Sequence, residues 1–189
     1  MKNHFKGIIS SLFILVVINS FAQEKSFYIR SIRSIHLENE RDVLQEIKFK
    51  DVDVLYNKTC QFLNETITVN TSGVYSISAF ANINPGVMGS SEKDSISMEM
   101  YLYNNKGTSN EQVVGKTNFV FTYGNFDVAA GLQILPIETT ISKGDALSLW
   151  IKILSSSNID INKSKKYDHI TKPTGMEQIA GIYLSKISE

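Results

Sequence analysis

The sequence predicts an all-β protein, a β-sandwich or barrel of about eight to ten short strands. Three observations carry this. Apolar and polar residues alternate with a period of two in segment after segment from Ser26 to Ile187. Clusters of Gly, Asn, Pro and Ser separate those segments, and no stretch of ordinary helical length shows a 3.6-residue period. The chain has 189 residues, a length that suits one domain able to bury its own core.

Met1 to Ala22 stands apart from this pattern. Lys2 and Lys6 precede the apolar run IISSLFILVVI, and small residues lead to a cleavage point between Ala22 and Gln23. That order is the one of a secretory signal peptide, and the apolar run is short of the roughly 20 residues a membrane span needs. The expectation is a secreted, periplasmic or extracellular protein with no membrane span after cleavage, residues 23–48 forming an N-terminal strand and connection and residues 49–189 the body of the domain. The whole chain has 19 basic and 19 acidic residues. Losing Lys2 and Lys6 leaves the mature part slightly acidic, which points away from nucleic acid as a partner. Cys60 is the single cysteine; it excludes an internal disulfide and is expected to be buried.

The strands follow in order. Ser26 to Leu37 (SFYIRSIRSIHL) alternates loosely and places Phe27, Ile29, Ser31, Arg33, Ile35 and Leu37 on the core side. Glu38 to Gln45 is charged and reads as a helical turn or an exposed connection. Short extended pieces are expected at Ile47 to Phe49 and Asp53 to Tyr56. In TITVNTSGVYSISAF, Thr66 to Phe80, the alternation breaks at Ser72-Gly73 and resumes, which predicts two strands joined by a tight corner. Beyond the corner, Tyr75, Ile77, Ala79, Ala81 and Ile83 face the core, and Val74, Ser76, Ser78, Phe80 and Asn82 face away. Ser95 to Tyr103 (SISMEMYLY) sends Ile96, Met98, Met100 and Leu102 inward, and Asn104-Asn-Lys-Gly closes it as a hairpin turn. Glu111 to Thr122 and Val128 to Ile141 follow, with Pro136 at an edge or a bulge. After the turn Lys143-Gly-Asp145, Ala146 to Ile153 (ALSLWIKI) buries Leu147, Leu149, Ile151 and Ile153, and Gln178 to Ile187 is the last strand.

Four motifs in this order resemble a known family: Phe49 to Asn57 (FKDVDVLYN), Ile67-Thr-Val69 leading into Gly73-Val-Tyr75, Lys143-Gly-Asp145 before Leu-Trp-Ile-Lys-Ile, and Ile179-Ala-Gly-Ile182. Together they resemble the globular head domain of complement C1q and its tumour necrosis factor-like relatives, over about Phe49 to Ile187. Ile67 and Ile179 stand where that family usually has Phe, Val69 where it has Ala, and no collagen-like stretch precedes the domain. The resemblance implies a ten-stranded jelly roll of two antiparallel sheets, assembled as a homotrimer, with Val74, Ser78 and Phe80 directed toward the trimer interface.

Chemistry is sparse. His36 and His169 are the histidines left after cleavage, neither sits in a nucleophile motif, and no H-E-x-x-H, C-x-x-C or P-loop occurs. The expectation is a non-enzyme without an organic cofactor. Asn158-Ile-Asp160-Ile-Asn162 puts three oxygen donors on one side of an extended segment, a set that suits Ca²⁺. Asp51 and Asp53 share a face in the same way. Trp150, Tyr101 and Tyr103 alternate out of phase with the core positions, and the resemblance sets their strands side by side in the outer sheet, as an exposed aromatic patch that binds a protein or a sugar ring. Two other readings stand beside this one: a carbohydrate-active enzyme on the same scaffold, and a purely structural trimer.

Overall fold

The computed structural model describes residues 26–32, 42–83, 95–122, 130–157 and 179–188. The expected signal peptide, His36, His169 and the expected Asn158, Asp160 and Asn162 oxygen set lie outside these residues. Among them run eleven strands: β1 (Ser26–Ser31), β2 (Leu44–Glu46), β3 (Val54–Asn57), β4 (Cys60–Leu63), β5 (Thr66–Val69), β6 (Gly73–Ile83), β7 (Ser95–Asn104), β8 (Gln112–Thr122), β9 (Ala130–Ile141), β10 (Ala146–Ser157) and β11 (Ala180–Ser188). They form two antiparallel sheets. The first, here called inner, has the order β3-β1-β11-β6-β9; the second, outer, has the order β4-β5-β10-β7-β8, with β2 added beside β10. Among the described residues no helix is long and apolar enough to cross a membrane.

The alternation predicts the core correctly because each sheet has one face turned to the other. Phe27, Ile29, Tyr75, Ile77, Ile182 and Leu184 of the inner sheet meet Ile67, Met98, Met100, Leu102, Leu149 and Ile151 of the outer one, all buried. Cys60 is buried among them, and that burial pushes its thiol up to about 12, against a smaller opposing pull from the Thr59 hydrogen bond. Such a thiol stays protonated and inert at neutral pH.

The corner after β5 is a crossing between sheets, since β5 pairs with β4 and β10 whereas β6 pairs with β9 and β11. The Tyr75 ring is buried, and its hydroxyl donates to the Thr71 carbonyl at 2.5 Å. One aromatic residue therefore ties the start of β6 to the corner before it. Gly73 is required by crowding: a Cβ there would sit 2.5 Å from the Ser188 carbonyl oxygen. The Lys143-Gly-Asp145 turn packs against the same corner, with Gly144 N–H donating to Val69 O and Lys143 N–H to Ser72 Oγ. Asp145 also accepts from Asn104 Nδ2, Asn105 Nδ2 and Ser142 N–H at 2.8 to 2.9 Å, so its carboxylate joins the turns after β7 and β9.

Three departures from the sequence reading have local causes. The charged connection ends in β2, whose residues zip onto Trp150, Ile151 and Lys152 of β10; tertiary pairing overrides a polar composition. The pair β4 and β5 forms a hairpin across Asn64 and Glu65, both at positive φ. That is the primed-turn geometry a right-twisted hairpin needs, built here without the usual glycine. Asp51 and Asp53 do not share a face: they lie in a 3₁₀ turn, Asp51 exposed and Asp53 buried with its carboxylate accepting the Lys50 N–H at 2.8 Å. Pro136 sits on edge strand β9 in a register shift, so the edge and the bulge foreseen for it coincide.

Candidate functional site

β7 and β10 lie side by side in register, Tyr101 opposite Trp150 and Tyr103 opposite Ser148. Outward phase on both strands brings the three rings into one cluster. Tyr101 and Tyr103 stack with centroids 5.8 Å apart, and Trp150 meets Tyr103 edge-on at 6.4 Å. Trp150 Nε1 donates to Ser148 Oγ at 2.8 Å, which satisfies the polar end of the indole.

The cluster is less open than the sequence suggests. Tyr103 is only 8% exposed, and Tyr101 and Trp150 are half-buried. Charged side chains of this same chain lie on the rings. Lys106 Nζ stands 4.4 Å from the Tyr103 centroid and 5.9 Å from that of Trp150, and Lys116 Nζ stands 5.0 Å from that of Tyr101. These are cation–π distances. Glu99 anchors the lysines: Lys116 reaches it at 2.5 Å, Lys152 at 3.7 Å, and the Tyr101 hydroxyl donates to its other oxygen. Burial alone would raise the Glu99 carboxyl, but hydrogen bonds from Lys116 and Tyr101 and the charges of Lys116 and Lys152 outweigh it and hold the group below the ordinary glutamate range. Glu111 holds Lys106 at 2.8 Å. On the far side of Trp150, β2 places Glu46, whose carboxyl burial raises against the pull of Lys48.

Sequence reasoning found the rings and missed their charged partners. Glu99 was legible, since it shares the outward phase of Tyr101 two residues on. Lys152 shares the outward phase of Trp150 in the same way, whereas Lys116 and Glu46 come from neighbouring strands that only the register places here.

The other predicted group occupies the outward face of the inner sheet. Val74, Ser78 and Phe80 are half-buried, at alternate positions of β6. The Phe80 ring lies over Gly181 of β11, where a Cβ would come within 2.6 Å of Phe80 Cε1. Next to it Tyr28 and Tyr183 meet edge-on at 6.0 Å, with Tyr56 beside Tyr28 on β3. Among the described residues no group of three or more His, Cys, Asp or Glu gathers as a metal site.

No protein-family model and no curated protein sequence matches the chain. Solved structures do. Two crystal structures of murine APRIL, at pH 8.0 and pH 5.0, superpose with a TM-score of 0.51 over 86% of this chain and 98% of theirs. The chain has a tumour necrosis factor-like jelly-roll fold. The sequence identity to both is 8%, so the likeness is one of backbone path alone, and the jelly roll says nothing by itself of ligand or activity.

Proposed function

We propose that the chain is a secreted, non-catalytic recognition module that assembles as a homotrimer and binds a protein or a glycan on its outer sheet. The observation that carries the reading is the outward face of the inner sheet. A sheet face left to water is ordinarily polar, yet here Tyr28, Tyr56, Tyr183, Phe80 and Val74 form an aromatic and apolar band along β3, β1, β11 and β6, interrupted by Arg30 beside Tyr28, with Tyr56 and Tyr183 exposed. A three-fold contact is heterologous, so this face needs a different apolar surface on the next copy. Phe119 and Val120 on β8 and Leu135 on β9, the last 70% exposed, offer one along the edge strands of the two sheets. The jelly roll then acts as a compact trimer whose outer sheets face solvent and ligand.

Mass measurement of the mature protein in solution tests the assembly: three times the chain mass supports it, and a monomer at micromolar concentration overturns it. Binding to a glycan array, compared between the wild type and Trp150→Ala, tests recognition. The burial of Tyr103 and the lysines seated on the rings favour a second reading, a purely structural trimer. That reading predicts no array binding by either protein.

A further inference from the structure

Between β1 and β3 the inner sheet carries a pocket of about 200 Å³ lined by Arg30, Ile32, Val52, Asp53 and Leu55. Its apolar walls stand in water: Ile32 and Leu55 are exposed, and Val52 is 82% exposed. The local chain explains this. Asp53 turns inward to accept the Lys50 N–H, and the 3₁₀ turn it closes thrusts Val52 outward. A register shift between Tyr28 and Ile29 separates β1 from strict pairing with β3 beside it.

The accessible charge of the pocket is that of Arg30. Asp53 is 3% exposed and engaged by the Lys50 backbone. No ion pair joins Arg30 to a carboxylate among the described residues; its polar neighbour is the Tyr28 hydroxyl, whose pKa burial raises and the guanidinium lowers. A guanidinium beside an apolar wall is a fork for a carboxylate. The volume lies below the roughly 300–1,000 Å³ of pockets that enclose drug-sized ligands, so the occupant is residue-sized. β3 is the terminal strand of its sheet, and its outer edge offers backbone groups to an added strand.

We propose that this pocket takes the C-terminal end of an extended peptide whose last residue is a branched aliphatic one. That side chain packs on Ile32, Val52 and Leu55, the terminal carboxylate meets Arg30, and the preceding main chain runs along the open edge of β3. The site is separate from the aromatic cluster of the outer sheet and lies at the β1–β3 margin of the inner-sheet face, so the proposal needs that margin to stay open in any assembly.

The test is an amide-shift titration of the full mature chain with N-acetyl-leucine, with N-acetyl-leucinamide and 4-methylpentanoate as comparators. The expected result is shifts centred on Arg30, Ile32, Val52 and Leu55, with the acid bound about tenfold more tightly than its uncharged amide and more tightly than 4-methylpentanoate, which lacks the peptide group. Arg30→Gln removes the difference between acid and amide while the amide still binds, and Leu55→Ser weakens both. Equal affinity for acid and amide in the wild type overturns the proposal, as do shifts centred elsewhere or no binding at all. Binding of 4-methylpentanoate as tight as that of N-acetyl-leucine assigns the pocket to free aliphatic acids and overturns the peptide assignment. A trimer that falls to monomers on adding N-acetyl-leucine marks the pocket as the seat of a neighbouring copy, and overturns it too. Should Arg30→Gln fail to fold, the comparison of acid with amide in the wild type decides alone.

Discussion

The outward faces of the two sheets carry similar aromatic inventories and treat them in opposite ways. On the outer sheet, Tyr101, Tyr103 and Trp150 are dressed by Lys106, Lys116 and Glu99 of their own chain. On the inner sheet, Arg30 reaches the Tyr28 hydroxyl, but Tyr183 and Phe80 lie opposite Ser78 and Gly181, side chains too small to cover a ring. A ring capped by a cation and rimmed by carboxylates is finished within the monomer. A ring bordered by serine and glycine is still open to a surface from outside. The difference teaches where association and where solvent are expected, although both faces look alike in aromatic count.

The comparison breaks most sharply at Phe80. Phe80→Glu places a carboxylate where the proposed contact excludes water, and an uncompensated buried charge costs about 3 to 5 kcal/mol. The mass in solution is expected to fall from trimer to monomer at micromolar concentration. Tyr101→Ala on the other face leaves the mass unchanged. Equal dissociation by both substitutions would erase the distinction between the faces.

Gly181→Ala sharpens the same side within one subunit. The added Cβ meets Phe80 Cε1 at 2.6 Å and the Ile29 carbonyl at 2.8 Å. Overpacking of this kind costs about 1 to 3 kcal/mol, to be read as a lower midpoint in urea. Part of the cost comes from a ring that can leave, so the loss is smaller in a Phe80→Ala background, and the double-mutant cycle measures their coupling. Purely additive losses would mean that the ring does not rest on the glycine.

How much of this was legible depends on whether the information is local. Alternation is a property of neighbouring residues, so the core sides of β6, β7 and β10 follow from Tyr75 to Ala81, Met98 to Leu102 and Leu147 to Ile153. The outward rings follow from the same rule. What decides their fate is register: Lys116 reaches Tyr101 because β8 pairs with β7, and Gly181 receives Phe80 because β11 pairs with β6. No window of sequence contains both partners. β2 was illegible for a related reason, because its hydrogen bonds lead to Trp150, Ile151 and Lys152 about a hundred residues away. The β4–β5 hairpin hid behind Asn64-Glu65, which adopts positive φ without the Asn-Gly signature.

A titration probes the charged side of the comparison. Glu99 has a folded pKa below its unfolded value, which is about 4.3. Its stabilisation is therefore complete above that value and lost as pH falls through the folded pKa. Asp145, lowered by Asn105, Asn104 and Ser142 N–H despite the opposing effect of burial, acts in the same direction. Thermal stability is expected to decline below about pH 4.3. Glu99→Gln lowers stability at pH 7 and flattens part of that decline, leaving the Asp145 share. An unchanged pH profile in Glu99→Gln would deny Glu99 its role as the anchor of the lysines.

The smallest effect concerns Lys106, which lies over Tyr103 and Trp150 and is held by Glu111. Lys106→Ala removes an exposed side chain, so the melting temperature stays nearly unchanged. The optical signal moves instead. Trp150 is the only tryptophan of the chain, so fluorescence reports on this face without background. Uncapping it raises quenching by acrylamide, and Glu111→Ala, which releases the lysine without removing it, produces a weaker change in the same direction. If quenching stays at the wild-type level in both variants, the lysine does not shield the indole, and the outer face is then as bare as the inner one. The contrast between the sheets would then rest on Glu99 and Lys116 alone.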